Sequence, residues 1–179
     1  MEYSPWALEI EKEGLLKTAR ELGVAIVSYS PIGQYPWSLT SVTPSLINCT
    51  GRGMLTGAIR SPDDFEDGDF RKFAPRFSKE NFPKNLKLVD EINAIARKKG
   101  CTASQLTLAW LLAQGDDIFP IPGTTKIDRL EENLGALKIH LSEEEKAEIR
   151  KISESAEIAG GRYPEAFAKA NFADTPELN

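Results

Sequence analysis

The fold is decided by residues 9–30, EIEKEGLLKTARELGVAIVSYS. Ile10, Leu15, Leu16, Ala19 and Leu22 recur at helical spacing, and Gly23 follows as a stop, which predicts a helix over 9–22. Val24 to Ser30 comes next without a linker. A short apolar run closed by Pro31 reads as a strand buried on both faces, the kind found in parallel sheets covered by helices.

Further along, Pro31 to about Phe82 shows no sustained period and is much longer than an ordinary strand-to-helix connection. Its middle, Ser61 to Phe77, is charged and aromatic, so the stretch reads as a functional loop, a mobile segment or an insertion. Asn81 to Lys99 is helical, with Pro83 in the first turn and Leu86, Val89, Ile92 and Ala96 along one face. Thr102 and Gln105 form a capping box for a second helix that ends at Gly115. Ile118 to Ile121 is a short apolar strand. Thr125-x-x-Asp128 predicts the cap of a helix that closes at Gly135, and Ser142-x-x-Glu145 caps another. From Ala156 the period is lost, and residues 156–179 read as a surface tail. Helices alternating with buried strands indicate an α/β protein with parallel strands. Two or three strands do not complete such a sheet, so the chain reads as part of a larger unit.

Composition narrows the function. The chain has 179 residues, 41% hydrophobic and 27% charged, which suits one globular domain. A net charge of −5 argues against a general nucleic-acid binder. Two cysteines, Cys49 and Cys101, do not make a disulfide scaffold, and no apolar run has the length of a membrane span. A soluble, cytoplasmic chain is therefore expected. The single histidine, His140, precedes a helix start and reads as solvent-facing, and no metal site is expected.

Two segments carry chemistry. In Ile121-Pro122-Gly123-Thr124-Thr125-Lys126-Ile127-Asp128-Arg129 a strand turns into a helix whose first N–H groups and dipole favour an anion. Lys126 and Arg129 lie three apart on that first turn and suit a phosphate monoester, with Glu132 and Asn133 one turn further to hydrogen-bond a base or ribose. The competing reading is a solvated turn whose cations pair with Asp128 and Glu132. The second segment is Ser28-Tyr29-Ser30-Pro31-Ile32-Gly33 with Gly51-Arg52-Gly53-Met54-Leu55-Thr56-Gly57. Tyr29 sits at the C-terminal end of a strand, where α/β proteins place ligands, and its ring can stack on a heterocycle. The competing reading is a rim tyrosine before a Pro/Gly turn.

Both segments resemble the C-terminal half of an aldo-keto reductase. The first is similar to that family's eighth strand and cofactor-binding helix, the second to its seventh strand and following loop. Glu2-Tyr3-Ser4-Pro5-Trp6 resembles the end of the sixth strand. Ser61–Phe77 and Thr102–Gly115 resemble the branch with pyridoxal-reductase-like and auxin-induced-protein-like members. The resemblance implies a partial (β/α)8 TIM barrel over residues 1–155, C-terminal half only, and reduction of aldehydes or ketones with NADP(H). By position, Tyr29 would stack on the nicotinamide. Ser30, Ile32, Gly33, Arg52, Gly53 and Leu55 would line the pyrophosphate. Thr124, Lys126 and Arg129 would hold the 2′-phosphate, with Glu132 and Asn133 near the adenine.

The resemblance also defines departures. The family's general-acid tyrosine and its aspartate, lysine and histidine partners belong to the first half of the barrel, so no residue here takes a catalytic role. The chain is expected to be a fragment, inactive alone, with Met1 an internal position of a longer frame. The alternative is a non-catalytic half-barrel that binds NADP(H) or a partner. Exposed barrel edges favour self-association. Residues 34–51, QYPWSLTSVTPSLINCTG, interrupt a Ser-Pro-Leu-Gly-Arg-Gly-like motif. They read as a retained intron or as a genuine loop insertion.

Overall fold

The computed structural model describes residues 1–32, 54–65, 67–124 and 126–161. Strand β1, Ile26–Ser28, pairs in parallel with β2, Ile118–Pro120, in the register Ile26–Ile118, Val27–Phe119, Ser28–Pro120. The ladder extends at both ends: Ile26 N–H donates to the Asp117 carbonyl (2.7 Å) and Ile121 N–H to the Ser28 carbonyl (3.0 Å). On the other edge of β1, Glu2 bridges Tyr29 in the parallel sense, and Tyr29 N–H donates to the Met1 carbonyl at 3.0 Å. Three short parallel segments thus lie side by side, and the segment read as a strand end at residues 2–6 joins the sheet through its first residues.

The strands differ from the expectation in one respect. Ile26, Ser28 and Ile118 are buried, but Val24, Val27 and Phe119 are about half exposed. The run 24–30 is therefore covered on one face, not two. Helix α4 packs on β2.

The expected helix over 9–22 is two, α1 (Glu9–Lys12) and α2 (Leu15–Glu21). Gly14 takes a left-handed φ of 78° between them. A side chain rarely adopts that conformation, and glycine is a poor helix former, so the apolar period passes through a break it does not reveal. At the far end of α2, Arg20 bonds the Asp117 carboxylate at 2.7 Å and the Gln114 carbonyl at 2.8 Å, holding the Asp117 carboxyl below its usual range.

Helices α3 (Phe82–Lys99) and α4 (Ala103–Leu112) form the core with Leu88, Val89, Ile92, Ala96, Leu106, Trp110 and Leu111. Apolar residues surround nearly the whole of α4, as suits a helix wrapped by neighbours. Two of the three expected caps are present as capping boxes, at Thr102–Gln105 and at Ser142–Glu145 before the terminal helix α6 (Glu143–Ser155). Arg150 of α6 ties three elements together. It donates to the Glu11 carboxylate and to Gln114 Oε1, each at 2.5 Å, and lies 4.8 Å from the centre of the Trp110 ring. The Tyr3 hydroxyl also donates to Glu11. Burial, reinforced by that bond, pushes the Tyr3 phenol well above its ordinary pKa.

Most of the described part of the long irregular stretch is packed. Short 3-10 turns at Pro62–Asp64, Phe70–Phe73 and Pro75–Phe77 deliver Phe65 and Phe77 to the core, where Phe65 meets Phe77 and Phe82 edge to face. Arg71 is buried against Asp69 (2.6 Å) and over the Phe65 ring (4.3 Å). Charge in the sequence concealed this packing, because long basic side chains bury their stems and planar heads when a partner is fixed nearby. Residues 34–51 lie outside the described residues.

The first residues of the expected tail are docked. Asn85 of α3 is 1% exposed; its Nδ2 donates to the Arg76 carbonyl (2.8 Å) and the Ala159 carbonyl (2.9 Å), while its Oδ1 accepts from Ala159 N–H (2.8 Å). Gly160 fits against this anchor at φ 86°, where an added Cβ would lie 2.7 Å from Arg76 N. An Asn85→Ala variant orphans all three backbone groups at once. It is expected to cost about 2–4 kcal/mol, read as a lower urea midpoint with earlier proteolysis after α6. A shift under about 1 kcal/mol would show the anchor to be dispensable.

Candidate cofactor site

Parallel pairing sends the chain out of β1 and β2 at the same end of the sheet, so the two chemistry-bearing segments start side by side. Tyr29 follows β1 directly and is half-buried. Ser30, 3% exposed, has φ 50°, and among the described residues it is the non-glycine residue with a left-handed backbone. That conformation is uncommon outside glycine and turns the chain sharply into Pro31. Ile32 is buried. Leu55 lies in a 3-10 turn, Met54–Thr56, that packs on α3 and α4. Its side chain is fully buried in the core, leaving only its backbone to meet a ligand. Gly33, Arg52 and Gly53 lie outside the described residues.

After β2 the chain reaches α5, Ile127–Gly135. The cap differs from the expected Thr125-x-x-Asp128. Thr125 lies outside the described residues, and Lys126 is the N-cap, without a side-chain capping bond. The Thr124 hydroxyl accepts Lys126 N–H at 3.1 Å and so sets the entry of the chain into the helix. The helix start retains the donor-rich character that favours an anion.

The two cations are placed differently from each other. Arg129 Nη1 bonds Glu132 Oε2 at 2.5 Å, with the arginine side chain 50% exposed and the glutamate 15%. Lys126 is exposed and has no ion pair among the described residues, and Asp128 pairs with neither. Pairing of the cations with both acids is thus realised only for Arg129 and Glu132. Asn133 lies beside Glu132 and is partly buried. Sequence reasoning missed Gln105, whose Nε2 donates to the Glu132 carbonyl at 3.1 Å and ties α5 to α4. Its only signal was the capping box, which employs the other end of the same amide. His140 is exposed, in agreement with its reading as a solvent-facing residue.

Tyr29 and the segment that leads into the start of α5 follow two parallel strands at one end of the sheet, which marks an α/β protein of a general kind. Comparison with known proteins makes it specific. The model of the aldo/keto reductase family matches residues 1–154, and the chain belongs to that family. It is 49% identical over 180 residues to the NADP(+)-named aldo-keto reductase yakc of Schizosaccharomyces pombe, and 49% identical to aldo-keto reductase str7 of Strobilurus tenacellus. Each match covers 99% of this chain and 48% of the relative, so the chain spans about half the length of the curated relatives it matches. Among solved structures, the glycerol dehydrogenase of Gluconobacter oxydans superposes with a TM-score of 0.67 over 86% of this chain and 41% of its own. A thermostable aldo-keto reductase gives 0.52 over 84% and 38%. At 24% identity both show likeness of fold. Among the described residues no helix is long and apolar enough to cross a membrane.

Proposed function

We propose that this chain forms the cofactor-gripping C-terminal half of a (β/α)8 reductase barrel, and that the protein reduces aldehydes or ketones with NADPH. The observation that carries the reading is the parallel β1–β2 register. It brings Tyr29 and the Thr124–Arg129 helix start to the same end of the sheet, in a chain of the aldo/keto reductase family.

The residues present fit the group. A phosphate monoester needs cations and N–H donors with little competing anion, and Lys126, Arg129 and the uncapped start of α5 supply that set. Lys126 is available as it stands. Arg129 reaches a phosphate by leaving Glu132, and Glu132 and Asn133 face the nucleoside. Tyr29 offers a flat ring for the nicotinamide, and the backbone around Ser30 and Ile32 accommodates the pyrophosphate. Bound NADPH supplies the hydride. Protonation of the resulting alkoxide needs a positioned acid, worth about 10²–10⁴-fold. None of Tyr3, Tyr29, Tyr35 and Tyr163 stands in the family's acid motif, so the chain by itself binds without turnover. A cytoplasmic location belongs to the same reading. Residues 34–51 interrupt the pyrophosphate loop as a retained intron, which sequencing of the transcript tests directly.

The binding half of the proposal is tested by titrating the chain with NADPH and NADH while following tryptophan fluorescence. Saturable quenching that favours NADPH by tenfold or more, without aldehyde turnover, is expected. Equal response to the two nucleotides, or none, overturns the site; turnover by this chain overturns the assignment of the acid elsewhere.

A further inference from the structure

Helix α5 presents Lys126 and Arg129 at its start but has no buried residue, so its placement rests little on core packing. A polar contact takes up that task. Gln105, in the first turn of α4, uses both ends of its amide: Oε1 accepts Thr102 N–H at 3.1 Å in the capping box, and Nε2 donates to the Glu132 carbonyl at 3.1 Å. Glu132 lies in the last turn of α5, where helical carbonyls run short of N–H partners. The N–H groups that cap this end bond the Asn133 and Leu134 carbonyls, and the Gln105 amide reaches Glu132 from outside the helix. Gly135 makes room for it. Its φ of −58° and ψ of −22° are ordinary helical values, so the backbone itself does not require glycine there. A Cβ at this position would instead lie 2.4 Å from Gln105 Nε2. Glycine is a poor helix former, and the close approach of the amide accounts for its presence.

We propose that Gln105 and Gly135 form a clasp that sets the placement of α5, which makes Gln105 a positioning residue for the 2′-phosphate grip of NADPH. The inference rests on the nucleotide-site reading above. Gln105 acts through α5 rather than by touching the nucleotide, and the route is short. The carbonyl it holds belongs to Glu132, whose carboxylate carries Arg129 at 2.5 Å, and Arg129 lies three residues from Lys126. The other end of the amide is fixed at Thr102, so α5 is held to the start of α4, a helix set in the core through Leu106, Trp110 and Leu111. Charge-assisted hydrogen bonds depend on distance and angle, so two cations converge on one phosphate only if the helix start cannot tilt away. NADH lacks that phosphate and depends less on the clasp.

The test compares the full chain with its Gln105→Glu and Gly135→Ala variants, titrated with NADPH and with NADH by tryptophan fluorescence. Glutamate still completes a capping box with Thr102 but brings no N–H to the Glu132 carbonyl, so α4 keeps its cap and the clasp alone is lost. Alanine at position 135 raises helix propensity while displacing the amide, so a merely structural role and the clasp call for opposite signs. The NADPH dissociation constant is expected to rise about tenfold for Gln105→Glu and about fivefold for Gly135→Ala, with NADH within about twofold in both. In a Lys126→Ala/Arg129→Ala background, Gln105→Glu should change NADPH by less than about twofold, because the groups it positions are gone. If Gln105→Glu does not fold, Gly135→Ala carries the comparison. An unchanged NADPH constant in a folded variant overturns the inference. So do equal losses for the two nucleotides, or a loss that persists in the background without the cations. A wild-type chain that does not prefer NADPH overturns the site reading and this inference with it, and the wild-type titration alone separates that failure from the others.

Discussion

Exchanging Lys126 and Arg129 together for alanine should weaken NADPH by about a hundredfold while leaving NADH within about threefold. A hydrogen bond to a charged group contributes roughly 1.5–3 kcal/mol, and each 1.4 kcal/mol is tenfold in affinity. The two residues do not contribute equally. Lys126 begins without an ion pair among the described residues and gives its interaction in full. Arg129 must first leave Glu132, a partly exposed pair worth about 0–1 kcal/mol. The Lys126→Ala variant is therefore expected to lose more than Arg129→Ala, and Glu132→Gln to tighten NADPH a few-fold by releasing the guanidinium. The fluorescence titration measures all four proteins. Equal losses for NADPH and NADH would place the phosphate elsewhere.

Trp110→Ala should cost about 3–5 kcal/mol, the usual range for removing a large buried aromatic. Small domains are stable by only about 5–15 kcal/mol, so this is a large part of the total. The side chain is fully buried, meets Tyr3 edge to face at 5.9 Å and carries Arg150 on its face. Alanine opens a cavity at the junction of α4, α6 and the N-terminal segment and removes the platform that holds Arg150 near Glu11. Trp110→Phe should cost less than half as much. It keeps an aromatic face, and Trp110 Nε1 has no hydrogen-bond partner to lose among the described residues. Urea unfolding of the two variants decides the matter; a Trp110→Ala shift below about 1 kcal/mol would show that this corner collapses without cost.

The parts of the molecule legible in the sequence are those set by neighbours along the chain. Both confirmed capping boxes span four residues, the parallel strands were flagged by short apolar runs, and the cations at the start of α5 lie three apart. The Gly14 break was hidden because the apolar period continues on both sides of it. Arg71 and Asn85 were hidden for a different reason: a fixed partner buries each, Asp69 two residues from Arg71 and Ala159 far along the chain from Asn85. A charged or amide side chain reads as surface until a fixed partner satisfies it.

Local interactions wrote the order of helices and strands, the caps and the basic helix start into the sequence itself, since each depends on residues within one turn or one strand. Tertiary structure alone decided which of two similar cations is engaged, which face of the sheet is covered, and that Asn85 clasps a segment 74 residues away. Those outcomes depend on which groups meet in space once the core of α3 and α4 has closed, and one-dimensional spacing carries no record of that meeting.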